Sequence, residues 1–133
     1  KMGNPDKVVV HCTGDGCFRM NCHELSTVEH YNIPVITVIF DNGTLGMVRQ
    51  WQNLIYAKRF YQATLSKNPD FAALAKAYGI AGYTTGDLDT FRESLRKALA
   101  SKKAAVIVCD IDMDEMVTPM VPPGNELTEY LLD

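Results

Sequence analysis

The sequence has 133 residues, a length that suits one domain. It is 47% hydrophobic and 22% charged, ordinary values for a globular chain, and its formal net charge is -3 with 13 scattered Lys and Arg residues, which argues against a nucleic-acid surface. It contains no apolar run of the roughly 18 residues needed for a membrane-spanning helix, and Lys1 to Asp6 carries no signal-peptide core.

The chain does not open on Met and reaches a strand-like run by Val8, so the reading is of a chain entered partway through a larger protein. Val8 to Cys12, ending at Gly14, reads as a buried strand because its run is apolar and β-branched. Cys22 to Tyr31 reads as a helix with Leu25, Val28 and Glu29 at helical spacing, stopped by Asn32-Ile33-Pro34. Val35 to Phe40 is the clearest strand, ended by Asp41-Asn42-Gly43. Leu45 to Tyr56 reads as helical and Lys58 to Pro69 as a loop. Asp70 is placed to cap a helix with apolar Phe71, Leu74, Ala75 and Tyr78, and Gly79 lies just past its end. A short strand fits Ile80 to Thr84. Asp87 to Ser101 is a strongly amphipathic helix with Leu88, Phe91, Leu95, Ala98 and Leu99 on one face. Ala104 to Ile111 is a last buried strand, and the tail, residues 112–133, holds Pro119, Pro122, Pro123 and Gly124 and reads as irregular.

Strands alternating with helices predict an α/β fold: a parallel sheet with helices on both faces. Ligands in such folds sit beyond the carboxyl ends of the strands. Gly14-Asp15-Gly16 and Asp41-Asn42-Gly43 occupy that edge. Each alone is an ordinary turn sequence. Together, after successive strands and before helices, they place the hard oxygens of Asp15 and Asn42 at one edge, which suits magnesium or calcium. A helix opening near Leu45 adds free N–H groups and a positive end, which favour phosphate. Cys12, Cys17 and Cys22 lie five residues apart beside His11 and His23, but no CxxC knuckle is present. With Cys109 they read as free thiols of a reduced, intracellular protein.

Gly14-Asp15-Gly16, twenty-five residues, then Asn42 resembles the signature of thiamine-diphosphate enzymes. That pattern ends in Asn-Asn, and this chain has Asp41 in the first place, which adds a negative charge beside the ligand Asn42. Three longer stretches are similar to acetolactate (acetohydroxyacid) synthase: Gly14 to Asn21, Gly46-Met47-Val48-Arg49-Gln50-Trp51-Gln52, and Val117 to Gly124. They span nearly the whole chain. The Met-Val-Arg-Gln-Trp-Gln string points to the biosynthetic form, and Cys17 and Cys22 depart from the residues usual there.

The resemblance implies an N-terminally incomplete thiamine-diphosphate-binding domain over residues 1–133, from a catalytic subunit that condenses pyruvate with pyruvate or 2-oxobutyrate in branched-chain amino acid biosynthesis. Magnesium would be held by Asp15, Asn42 and the Thr44 carbonyl. Gly14 would be among the cofactor-binding residues, Gly16, Cys17, Gly46 and Met47 would lie near the cofactor phosphates, Met20 would help hold the cofactor's bent shape, and Val48 and Trp51 would face the second substrate. Without that resemblance, Met20, Met47 and Trp51 read as core packing.

The glutamate that activates the cofactor belongs to another domain of the family, and FAD to a middle domain. No residue here is assigned a catalytic role, and the chain alone is expected to be inactive. The resemblance further implies a homo-oligomer, a regulatory subunit, and a cytoplasmic enzyme, or a plastid or mitochondrial one in a eukaryote. The rival readings are another thiamine-diphosphate 2-oxo acid decarboxylase or oxidase, and a non-catalytic phosphate-binding module.

Overall fold

The computed structural model describes residues 1–65 and 67–131; Ser66 of the expected loop and Leu132 and Asp133 of the expected tail lie outside the described residues. Four parallel strands form one sheet: β1 (Val9–Gly14), β2 (Val35–Asp41), β3 (Ala81–Thr85) and β4 (Ala105–Asp110), in the order β1-β2-β4-β3. Among the described residues five α-helices accompany them: α1 (Asp15–Asn21), α2 (Leu25–His30), α3 (Gly46–Leu54), α4 (Phe71–Ala77) and α5 (Leu88–Ser101). No helix among the described residues is long and apolar enough to cross a membrane.

The two-residue period of the strands splits the core between the sheet's faces. Ile39, Val106 and Val108 pack with Phe18 of α1, Leu25 of α2, and Phe71, Ala72 and Ala75 of α4. Ile36, Val38, Ala105 and Ile107 turn the other way, against Phe91, Leu95 and Ala98 of α5. The covered parallel sheet read from the alternating pattern is therefore present.

Three expectations change. The first strand was read as buried, but β1 is an edge strand, and Val10 is 44% exposed with His11 and Cys12 also exposed. An apolar run shows that a strand can be covered; it does not say whether a neighbour covers it. The first helix was placed at Cys22–Tyr31, yet α1 starts at Asp15 and a 3-10 turn over Cys22–Glu24 joins it to α2. Asp15 is thus the first residue of a helix and not the middle of a turn. On α5, Leu88 and Leu99 were placed on the packed face, but Leu88 is 69% exposed and Leu99 is exposed as well, so Phe91, Leu95 and Ala98 carry the contact.

The helix starts follow their capping residues. Asp70 Oδ1 accepts the Ala73 N–H at 2.8 Å, and Asp87 Oδ1 accepts the Asp89 and Thr90 N–H groups at 2.9 and 2.8 Å. Asp87→Ala leaves both donors of α5 without that partner. A loss of stability is expected, measured by denaturant unfolding, with Asp87→Ser close to the parent.

Candidate functional site

Parallel pairing brings the two signature segments together. Gly14 of β1 is registered with Phe40 of β2, so Asp15 and Asp41-Asn42-Gly43 leave adjacent strands at the same end of the sheet. Asp15 is 2% exposed, and its Oδ2 accepts the Gly43 N–H at 3.1 Å. The same N–H also reaches Asp41 Oδ1 at 3.2 Å. Gly43 sits at φ 63, in the left-handed region that glycine adopts without strain, and this aims its N–H between the two carboxylates.

Asn42 Oδ1 accepts the Thr44 N–H at 3.1 Å, which folds the side chain over its own turn. Leu45 N donates to Ala63 O and Leu65 N to Gly43 O, bracketing an antiparallel bridge between Thr44 and Thr64. In that bridge Thr44 is the residue whose own N–H and C=O face away from the partner segment. Its hydroxyl donates to Ala63 O at 2.8 Å and fixes the turn. One carboxylate at the start of α1, and one amide oxygen and one main-chain carbonyl on the adjoining turn after β2, are thus brought to one edge, a set of hard oxygens that can hold a small divalent cation.

A pocket of about 620 Å³ opens here. Gly14, Asp15, Gly16, Cys17 and Met20 line it from the β1 end and α1, and Asn42, Thr44, Gly46, Met47 and Val48 from the β2 end and α3. Every residue expected to bind cofactor or metal borders this one space. The glycines leave room that a side chain would fill: a Cβ at Gly46 would lie 2.9 Å from Asn42 Nδ2, and one at Gly16 would lie 3.2 Å from Leu45 Cδ2. Trp51 lies in an adjacent pocket of about 480 Å³ that shares Met47 and Val48 with the first. It is half-buried. Tyr56 and Arg59, from the segment after α3, line the same pocket.

Several contributors were not anticipated. The tail closes one side through Glu115, Met116 and Val117. Buried Gln50 of α3 holds it, accepting the Val117 N–H at 2.9 Å and donating to the Val117 carbonyl at 3.0 Å. Beside it, Arg49 pairs with Asp114 at 2.6 Å and stacks 4.0 Å over the Phe60 ring. Asn68, in the segment read only as loop, donates to Asp15 Oδ2 at 2.5 Å and to Asp41 Oδ1 at 2.7 Å. No local signal in the sequence marks either amide as part of a site. Partial burial pushes the Asp41 carboxyl above the usual carboxylate range, the Asn68 amide pulls it back, and the neighbouring Asp15 carboxylate pushes it up again.

The chain is 44% identical over 131 residues to the probable acetolactate synthase large subunit of Methanocaldococcus jannaschii, covering 98% of this chain and 22% of that protein. It is 41% identical over 131 residues to the acetolactate synthase isozyme 2 large subunit of Escherichia coli, covering 98% of this chain and 24% of that protein. The chain therefore spans about a quarter or less of the length of these relatives. Among solved structures, a thiamine diphosphate-dependent 4-hydroxybenzoylformate decarboxylase from Rhodococcus jostii RHA1 superposes with a TM-score of 0.78 at 27% identity, over 86% of this chain and 22% of that one. Residues 1–109 match the family described as thiamine pyrophosphate enzyme, C-terminal TPP binding domain, and the chain belongs to that family.

Proposed function

We propose that this chain is the diphosphate- and magnesium-binding part of an acetolactate synthase catalytic subunit, which joins pyruvate to a second pyruvate or to 2-oxobutyrate. The observation that supports this reading is the pocket at the ends of β1 and β2, where the hard oxygens of Asp15, Asn42 and Thr44 adjoin Val48 and, one pocket further, Trp51. The relatives named acetolactate synthase large subunit cover 98% of the chain and favour this over the other thiamine-diphosphate reactions.

Asp15, Asn42 and the Thr44 carbonyl would hold magnesium against the cofactor's diphosphate. The start of α3 at Gly46 and Met47 offers free main-chain N–H groups to the phosphate oxygens. Gly14, Gly16 and Cys17 bring main chain close on the opposite wall, and Met20 lies near the cofactor. When bound, thiamine diphosphate supplies the electron sink for decarboxylating a 2-oxo acid. The work of this chain is to fix that group's charged end and shape the space beside it. The glutamate that activates the cofactor, and FAD, are assigned to other parts of the full-length subunit, so this chain alone is proposed to be inactive.

The deciding test on the full-length subunit is calorimetric titration with thiamine diphosphate, with and without magnesium, alongside an assay for acetolactate. Magnesium-dependent binding with acetolactate formation supports the reading. Equal binding of ATP or FMN without turnover would make the site a general phosphate module.

Trp51 gives a finer test. It shares a pocket with Met47 and Val48, and in the proposed role its indole would contact the extra methyl of 2-oxobutyrate. One buried methylene is worth about 1–3 kcal/mol in such discrimination. Trp51→Leu is expected to lower the preference for 2-oxobutyrate roughly tenfold or more while largely sparing pyruvate decarboxylation. An unchanged product ratio in a competition assay, with the fold intact, would return Trp51 to a packing role.

A further inference from the structure

Asp41 raises a problem that the signature alone does not solve. It places a second carboxylate beside Asp15, and the two share the Gly43 N–H at 3.1 and 3.2 Å. One N–H cannot satisfy two partly desolvated carboxylates, and the unmet repulsion would push Asp15 away from its position. Asn68 meets the need. Its amide nitrogen donates to Asp15 Oδ2 at 2.5 Å and to Asp41 Oδ1 at 2.7 Å. Its carbonyl oxygen accepts from Arg19 Nη1 at 3.2 Å. The amide orientation therefore follows from its surroundings: carboxylates require the N–H side and a guanidinium requires the oxygen.

Asn68 is also held in place. It precedes Pro69 and the Asp70 cap of α4, and Phe71 of that helix meets Phe18 of α1 edge-on with ring centroids 5.3 Å apart. Asp15 and Arg19 ride on the same α1. The aromatic pair thus sets the spacing between the clamp and the carboxylate it holds.

We propose that Asn68 is a positioning residue of the cation site: its amide ties Asp15 Oδ2 and Asp41 together, keeps both oxygens out of the metal's reach, and leaves the rest of the Asp15 carboxylate for the cation. This rests on the magnesium reading above. The partner arrangement is specific to a chain with a carboxylate at position 41. With Asn at that position the side chain carries no charge and can itself donate to Asp15, so the clamp is needed less.

The test uses the full-length subunit and reads calorimetric affinity for thiamine diphosphate at fixed magnesium, with the cofactor-induced shift in Tm as a second readout. Circular dichroism first confirms that each variant is folded. Asn68→Ala is expected to weaken binding about 10- to 100-fold, the range typical of residues that orient a metal ligand. Asn68→Asp, nearly the same shape but without N–H donors, is expected to weaken it at least as much. Adding Asp41→Asn to Asn68→Ala is expected to restore affinity to within about threefold of the parent, because the charge that needed the clamp is gone.

A residue that only shapes the loop predicts the opposite pattern, with Asn68→Asp milder than Asn68→Ala and no rescue by Asp41→Asn. That pattern, or unchanged affinity in Asn68→Ala, overturns the clamp while leaving the functional reading intact. If Asn68→Ala does not fold, the double variant and Asn68→Asp decide between the same two patterns. A parent protein that shows no magnesium-dependent binding overturns the functional reading and the clamp together.

Discussion

Asp15→Asn in the full-length subunit is expected to abolish magnesium-dependent binding of thiamine diphosphate while the protein stays folded. Among the oxygens expected to hold the cation, Asp15 supplies the full negative charge; Asn42 and the Thr44 carbonyl are neutral. Removing a charged ligand costs more than disturbing a residue that orients one, so the loss should exceed roughly 100-fold in affinity. In a thermal shift assay this appears as a missing response: a ligand at about 100 times its Kd stabilises by about 2.7 kcal/mol, and the variant would show almost none of that.

The choice of Asn over Ala follows from the local hydrogen bonds. Asp15 Oδ2 accepts from Gly43 N and from Asn68 Nδ2, and truncation would strand two donors near a buried position. Each stranded group costs about 1–3 kcal/mol. An amide oxygen keeps an acceptor in place and removes the charge facing Asp41. Asp15→Asn therefore separates loss of metal binding from loss of fold, and Asp15→Ala combines them.

The same substitution changes the pH profile of stability in a definite direction. The folded state raises the Asp41 pKa, first through partial burial and also through Asp15, so it holds a proton there more tightly than the unfolded chain does. The contribution is present below the ordinary carboxylate pKa and is lost as pH rises through the raised value. With the Asp15 charge gone that window narrows. Unchanged cofactor affinity in Asp15→Asn would remove Asp15 from the metal set.

What the sequence discloses here is mostly what is local or paired. β2 and β4 are legible because a buried parallel strand reads as a run rich in apolar and β-branched residues, and Val35 to Phe40 and Ala105 to Cys109 supply one. The starts of α4 and α5 are legible because Asp70 and Asp87 cap them through their own side chains. The convergence of Asp15 and Asn42 is legible because each follows a strand, and neighbouring parallel strands must bring both to one edge. The exposure of β1 was not legible, since Val9 to Cys12 satisfies the same apolar rule on an edge as in the centre. Asn68 and Gln50 were not legible for a related reason. Each acts on a segment 27 to 67 residues away, at Asp41, Asp15 or Val117, and an isolated Asn or Gln carries no periodicity or spacing that announces a distant partner. Trp51 is intermediate: its neighbours on α3 follow from helical spacing, but no pattern foretells the Tyr56 and Arg59 side of the pocket that it lines.

Gly82→Ala is expected to be the most damaging single-methyl change among the glycines described. A Cβ at Gly82 of β3 would sit 2.2 Å from Ala72 O, 2.8 Å from Ala72 C and 2.9 Å from Ala72 Cα. All three are main-chain or Cα atoms of α4, so no side chain can rotate away; the helix itself must move off the sheet. That helix buries Phe71, Ala72 and Ala75 against Ile39, Ile80 and Val106, and lifting it opens the cluster along its length. Overpacking alone costs about 1–3 kcal/mol and partial loss of a buried aromatic about as much again, so a total above roughly 3 kcal/mol is expected. Displacing α4 also moves Pro69 and Asn68, so cofactor affinity should fall along with stability. Gly86→Ala provides the control, because a Cβ there meets nothing within 4 Å. Ala72→Gly added to Gly82→Ala should not rescue, since the clash is with atoms that glycine keeps. Measured as soluble yield and the temperature of the first unfolding transition, a Gly82→Ala protein matching Gly86→Ala would show that α4 does not approach β3 as closely as described. Rescue by Ala72→Gly would show that the clash lies with a side chain.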